Sequence, residues 1–229
     1  MNAKKVTVYS LGLEDYEKIW DLQKFLQAEV IEGKLNNSLL LLEHSHTFTL
    51  GKTGSETNLL LNDFGLQKNQ AKFFKIERGG DITYHGPGQL VGYPILNLNN
   101  FKPDLHIYLR DLEEVIIQTL SEFGIKGERL KGLTGVWVKG AKVCAMGINT
   151  KKWVTMHGFA LNVNSDLSYF QKIIPCGITD KPVTSIEKLL GKSISRAEVE
   201  PILIKKFSEI FDAEVKFGEN EEIFTLNEN

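Results

Sequence analysis

The sequence predicts an α+β fold, a mixed β-sheet with flanking helices, from three observations. Strand-like runs dominate the chain but are interrupted by isolated stretches of helical periodicity. Three β-rich segments follow one another between Gly135 and Val163, separated by short Gly- or Lys-containing turns, which is the pattern of a β-meander. No internal repeat, low-complexity tract or linker divides the 229 residues, so residues 1–229 read as a single domain.

In order along the chain, Val6 to Leu11 has strand composition. From Tyr16, Ile19, Leu22, Leu26 and Val30 recur at spacings of three and four, lining one helix face until Gly33 offers a stop. Ser38 to Glu43 contains four leucines in a row and reads as a buried strand, with Thr47 to Leu50 expected as its neighbour. Phe73 to Ile76 leads into a Gly-rich loop. Gln89 to Leu98 reads as a strand, and Pro94 within it suggests an edge or a bulge. Asp104 is a helix cap, and Leu109, Leu112, Ile116, Leu120 and Phe123 keep helical spacing until Gly124. Ser195 and Glu198 form a capping box, but Pro201 is expected to interrupt that helix, the main segment restarting there and running through Ile210.

Lys and Arg number 27 against 29 Asp and Glu, a formal charge of −2, which argues against nucleic-acid binding. The N-terminus carries no apolar signal segment and no run is long enough to span a membrane, so the expectation is a cytoplasmic protein. Two cysteines do not make a disulfide framework.

Candidate chemistry is concentrated in three places. RGGDITYHGPGQ (Arg78 to Gln89) brings backbone N–H groups close to a ligand, with Arg78, Tyr84, His85 and Gln89 as polar contacts; a Gly-Pro-Gly alone would be a surface turn. Lys142 lies in an otherwise apolar β-segment. There an amine loses solvation of its charged form, although a strand lysine more often faces solvent. Cys176, between Pro175 and Gly177, lies on a turn where a thiol can face a cleft, whereas Cys144 lies within an apolar run and reads as core. Gly51-Lys52-Thr53 and Gly191-Lys192-Ser193 lack the upstream glycine of a phosphate-binding loop, and His44 and His46 lack partners for a metal, so no metal is expected. His157, before Gly158, decides nothing alone.

Taken together, RGGDITYHGPGQLVGYPILNL, TGVWV with KVCAMGI, MHGFALNV, and IIPCGI with VTSIEKLLG resemble the lipoate-biosynthesis octanoyltransferases, the lipoyl(octanoyl) transferases of the LipB type. The resemblance spans Ser38 to Phe211; HSHTFTLGKTG departs from it at Ser45, His46 and Lys52. It implies the catalytic fold of the biotin and lipoate protein ligases. It further implies transfer of octanoyl from acyl carrier protein to a lysine of lipoyl domains, in 2-oxoacid dehydrogenase complexes and the glycine-cleavage H protein, with no cofactor.

Position by position, the resemblance puts the acyl-thioester nucleophile on Cys176 and its acid/base lysine on Lys142. It puts substrate binding on Arg78, Gly79, Gly80, Asp81, Ile82, Thr83, Tyr84 and His85, on Ala145, Met146 and Gly147, and on Gly158, Phe159 and Ala160. A monomer is expected, with Lys139, Lys151, Lys152 and Lys181 as candidates for an acidic carrier's docking patch. The rivals are an ATP-dependent lipoate or biotin protein ligase on the same fold, a non-catalytic acyl-binding protein, and a thiol peptidase using His85 or His157.

Overall fold

The computed structural model describes residues 4–174 and 181–228. An eight-stranded mixed sheet runs through the molecule. Its strands, in chain order, are β1 (Lys5–Glu14), β2 (Asn37–His44), β6 (Gln89–Ile95), β7 (Glu128–Leu130), β8 (Leu133–Val138), β9 (Ala141–Lys151), β10 (Val154–Asn162) and β11 (Glu214–Phe217). Their spatial order is β11-β1-β2-β6-β10-β9-β8-β7, parallel only at the β11-β1-β2 end. A second, three-stranded sheet comprises β3 (Thr47–Leu50), β4 (Lys72–Lys75) and β5 (Ile82–His85), with β3 in the middle.

Helices cover both faces of the large sheet. On one face lie α1 (Tyr16–Ile31) and α6 (Asn220–Glu228), and on the other α3 (Leu105–Glu122), α4 (Ile186–Leu190) and α5 (Arg196–Phe211). The short α2 (Asp63–Lys68) borders the small sheet. This covering explains the leucine run of β2. Leu39 and Leu41 pack under α3 and α5 while Leu40 and Leu42 pack under α1, so both faces of the strand are apolar. The periodic residues Ile19, Leu22, Leu26 and Val30 of α1 are all buried. Asp15 caps that helix by accepting from Glu17 N–H at 3.0 Å, and Gly33 leaves it at φ +74°. No helix among the described residues is long and apolar enough to cross a membrane.

Three expectations need correction. Thr47–Leu50 does not pair with β2, because β1 and β6 already occupy both edges of that strand; it founds the second sheet instead. Pro94 lies in a central strand rather than at an edge. Its ring faces Gly158 of β10, where the ladder between the two strands has stopped at Gly92, so the missing N–H removes no ladder bond. The ladder opens there because His157 adopts φ +62° and gives its N–H to Gln23 Oε1 of α1 at 2.9 Å.

Pro201, finally, does not interrupt α5. The helix runs unbroken from Arg196 to Phe211, with Ser195 N–H held by Glu198 Oε2 at 2.9 Å. Pro201 sits only five residues inside the helix and on its exposed side, so the single bond it forfeits leaves a carbonyl that water can reach.

Candidate active site

A cavity of about 390 Å³ opens between the two sheets. Gly80's neighbours set one wall. Arg78 is buried, donating from Nη2 to Thr49 O (2.7 Å) and Thr49 Oγ1 (3.0 Å) and from Nη1 to Gly79 O (3.1 Å). Asp81 fixes the loop from within, accepting from Ile82 N–H and from Asn58 Nδ2, each at 2.6 Å. The opposite wall is the β9–β10 hairpin, where Gly147 faces Gly158 in register and Gly79 N–H reaches across to Ile148 O at 2.9 Å. Glycine is required at Gly147: a β-carbon there would come within 2.9 Å of Gly79 O and 3.0 Å of Arg78 Cδ.

The deep end of the cavity is aromatic, and a buried charge, the Arg78 guanidinium, lies close to it. Tyr16, His85, Tyr93 and His157 line it, and all are nearly inaccessible. His44 Nδ1–H donates to Glu14 O (3.0 Å), so its Nε2 accepts the Tyr93 hydroxyl at 2.8 Å. His85 Nδ1–H donates to Gln89 Oε1 (2.9 Å), and Gln89 Nε2 passes on to Asn162 Oδ1 at the same distance. Burial lowers the imidazole of His44 to about pKa 4 and that of His157 to about 3, and it pushes His85 well below its ordinary value with help from neighbouring His44. These rings are therefore neutral near pH 7, and burial likewise keeps Tyr16 and Tyr93 protonated.

Toward the mouth, Gly132 and Thr134 are exposed and Lys142 half-buried. Lys142 Nζ lies 4.7 Å from the Trp137 ring centroid. Its backbone is clamped by the chain that follows residue 180: Lys142 N–H donates to Pro182 O and Thr184 N–H to Lys142 O, both at 2.9 Å. Behind the mouth, the fully buried Glu113 of α3 accepts from Arg110 Nη1 (2.5 Å), Arg129 Nε (3.0 Å) and Gly135 N–H (3.0 Å).

Of the residues singled out from sequence, Arg78, Gly79, Gly80, Asp81, Ile82, Thr83, His85, Lys142, Ala145, Met146, Gly147, Gly158, Phe159 and Ala160 all line this one cavity. Tyr84 does not. Strand alternation turns it to the other face of β5, where it is buried with Phe48 and stacks on Tyr169, its hydroxyl 2.7 Å from His46 Nδ1. Cys176 lies outside the described residues. Cys144 is fully buried in the core, and burial raises its thiol pKa, which makes it inert.

The four lysines considered for docking are exposed but not one patch. Lys139 and the Lys151–Lys152 pair sit at opposite ends of β9, ~33 Å apart along an eleven-residue strand. Sequence reasoning missed Tyr16, Tyr93, Leu109 and Phe170: Tyr16 and Leu109 read as parts of helices and Tyr93 as part of a strand, nothing marks Phe170, and only tertiary packing turns them toward a cavity.

Residues 15–208 match the lipoyl protein ligase A/B catalytic domain, and the chain belongs to that family. The chain is 51% identical over 231 residues to an octanoyltransferase of Christiangramia forsetii (93% of this chain, 99% of the relative). It is 49% identical over 232 residues to one of Cytophaga hutchinsonii, covering 93% and 95%. Within the family it stands with these octanoyltransferases and is an acyltransferase. A bipartite lipoate protein ligase from Thermoplasma acidophilum, solved in a study that includes its E2 lipoyl domain, superposes with a TM-score of 0.76 at 17% identity over 98% of this chain and 91% of its own. That likeness establishes a shared fold, the lipoate and biotin ligase type expected from the sequence.

Proposed function

We propose that the protein moves an octanoyl group from acyl carrier protein to a lysine of lipoyl domains, through a thioester on Cys176, in the cytoplasm. Lipoyl domains of 2-oxoacid dehydrogenase complexes and the glycine-cleavage H protein are the acceptors. The observation that carries this reading is the cavity: largely apolar and aromatic, with the Arg78 guanidinium buried in one wall, and bordered at its mouth by Lys142. Apolar walls suit an eight-carbon chain, each buried methylene contributing roughly 0.8 kcal/mol.

Lys142 as an ammonium favours the Cys176 thiolate, which attacks the donor thioester carbon. The tetrahedral oxyanion collapses, and the departing pantetheine thiolate takes the proton of Lys142. The acceptor lysine amine then attacks the enzyme thioester and hands its surplus proton to the now neutral Lys142. Collapse expels the Cys176 thiolate and leaves an amide. Thioester is exchanged for thioester and then for the more stable amide, so the sequence of steps calls for no nucleotide.

Because the same fold also serves ATP-dependent ligases, the decisive test is chemical. Intact enzyme incubated with octanoyl carrier protein gains one octanoyl mass, and Cys176→Ala does not. Modification of a lipoyl domain from free octanoate only when ATP is supplied would overturn the proposal.

A further inference from the structure

We propose that Asn162 is a positioning residue for acyl transfer: its side-chain amide fastens residues 182–184 beside β9 where β10 ends, and that segment holds the backbone of Lys142. The proposal rests on the reading of Lys142 as the proton carrier. β10 pairs with β9 only as far as Leu161 opposite Cys144, so Lys142 lies beyond the end of that ladder. Residues 182–184 take over the vacated edge. Lys142 N–H donates to Pro182 O and Thr184 N–H to Lys142 O, both at 2.9 Å, and Lys142 pairs in parallel with Val183. A bulge turns Lys142 toward this segment. Val136 and Trp137 of β8 face Cys144 and Lys142, so β9 carries one residue more than β8 there, and Val143 and Cys144 both pack into the same core. Past the extra residue the alternation is reversed, and Lys142 sends its N–H and C=O away from β8 to the edge that β10 has left.

Asn162, the last residue of β10, makes the join. Its Nδ2 donates to Thr184 O at 3.0 Å while its Oδ1 accepts from Gln89 Nε2 at 2.9 Å, and all three residues are buried. Gln89 is held in turn, its Oε1 accepting from His85 Nδ1–H at 2.9 Å and its Nε2 donating also to Tyr84 O at 3.1 Å. Because Oδ1 faces a donor, the Asn162 amide presents its N–H to Thr184 and cannot turn round without opposing two like groups. One residue further on, Glu187 N–H donates to Val163 O at 2.9 Å, so the end of β10 grips the segment at Thr184 and again at Glu187. Thr184 thus accepts from Asn162 at its carbonyl and donates to Lys142 from its amide. The Lys142 ammonium rides on a flexible four-carbon stem, so the fold places it by fixing the backbone from which the stem starts. A displacement of about 1 Å there is enough to cost on the order of 10²-fold in rate.

Two substitutions test this. Asn162→Ala removes the donor without adding charge. Asn162→Asp keeps the shape but sets a carboxylate oxygen against Thr184 O, and it gives the answer if the alanine variant does not fold. Acylation by octanoyl carrier protein is followed by intact mass in single turnover, with circular dichroism and thermal unfolding as the check on folding. Each variant is expected to lose about 10–100-fold in rate at saturating donor. Asn162 also lines the cavity, so a role in holding the donor would instead raise the half-saturating concentration, which is expected to stay unchanged. In a Lys142→Ala background the same substitution is expected to cost less than about twofold, because the group it positions is gone. A folded variant within about threefold of the parent overturns the proposal, as does a loss confined to half-saturation, or an undiminished loss in the Lys142→Ala background. If Lys142→Ala alone acylates as fast as the parent, the reading of Lys142 fails and the inference falls with it. A slow Lys142→Ala beside a fast Asn162→Ala defeats the inference alone.

Discussion

Removing the Glu113 carboxylate should destabilise the protein measurably, and the size of the effect can be worked from its contacts. The side chain is fully buried, yet the two arginines it meets are not: Arg110 is 51% exposed and Arg129 33%. In Glu113→Ala both guanidinium groups can rehydrate, and Arg129 keeps Glu114 at 2.7 Å, so their loss contributes only about 1 kcal/mol. The Gly135 amide has no such recourse, and a buried donor left unpaired costs about 1–3 kcal/mol. The sum is about 3 kcal/mol for alanine. Glutamine keeps an uncharged acceptor for Gly135 and should cost about 1 kcal/mol, mostly the lost charge assistance. Equilibrium urea unfolding followed by tryptophan fluorescence measures both. With a slope of roughly 3 kcal/mol per molar, the alanine midpoint should fall by about 1 M. An unchanged midpoint in Glu113→Ala would refute the accounting. A glutamine variant as unstable as alanine would show that charge, not the amide acceptor, is what matters.

Stability should also fall with acid before the carboxylates titrate. His44 and His157 have folded pKa values near 4 and 3, and His85 is also depressed, against about 6.5 unfolded. Between about pH 6.5 and 4 the unfolded chain therefore binds more protons than the folded one, and stability drops as pH falls through that window. The proton uptake on unfolding at pH 5.5, read from the slope of stability against pH, should decrease in His157→Gln. Gly147→Ala should leave the fold largely intact but displace the Arg78–Gly79 wall, costing about 1–3 kcal/mol in denaturant unfolding and lowering acyl transfer together. Arg78→Lys cannot reproduce the fork to Thr49 O, Thr49 Oγ1 and Gly79 O, and transfer to a lipoyl domain should fall while far-UV circular dichroism is unchanged. Lys142→Arg should change the pH dependence of acyl transfer, and full retention of the parent pH–rate profile would exclude a proton-carrying role.

Local patterns in the sequence decided most of the elements. The caps at Asp15 and Asp104, the period of α1 and α3, and the meander of β8, β9 and β10 each follow from side chains within a few residues of one another. The segments that line the cavity were legible as well, because glycines, an interior lysine and a Tyr-His pair are unusual together. Pairing between distant strands was not legible. Nothing near Thr47 records that both edges of β2 are taken, and nothing near Pro94 records that β10 has parted from it at His157. Tyr84 and His85 are neighbours in sequence with the same polar character. Only the face of β5 that meets the cavity separates the residue that lines it from the one that packs behind it. The sequence by itself determined which residue types are available and which local backbone they prefer. Packing decided which of them share a cavity, because burial, and with it the neutral histidines, arises only when chain segments far apart in sequence are brought together.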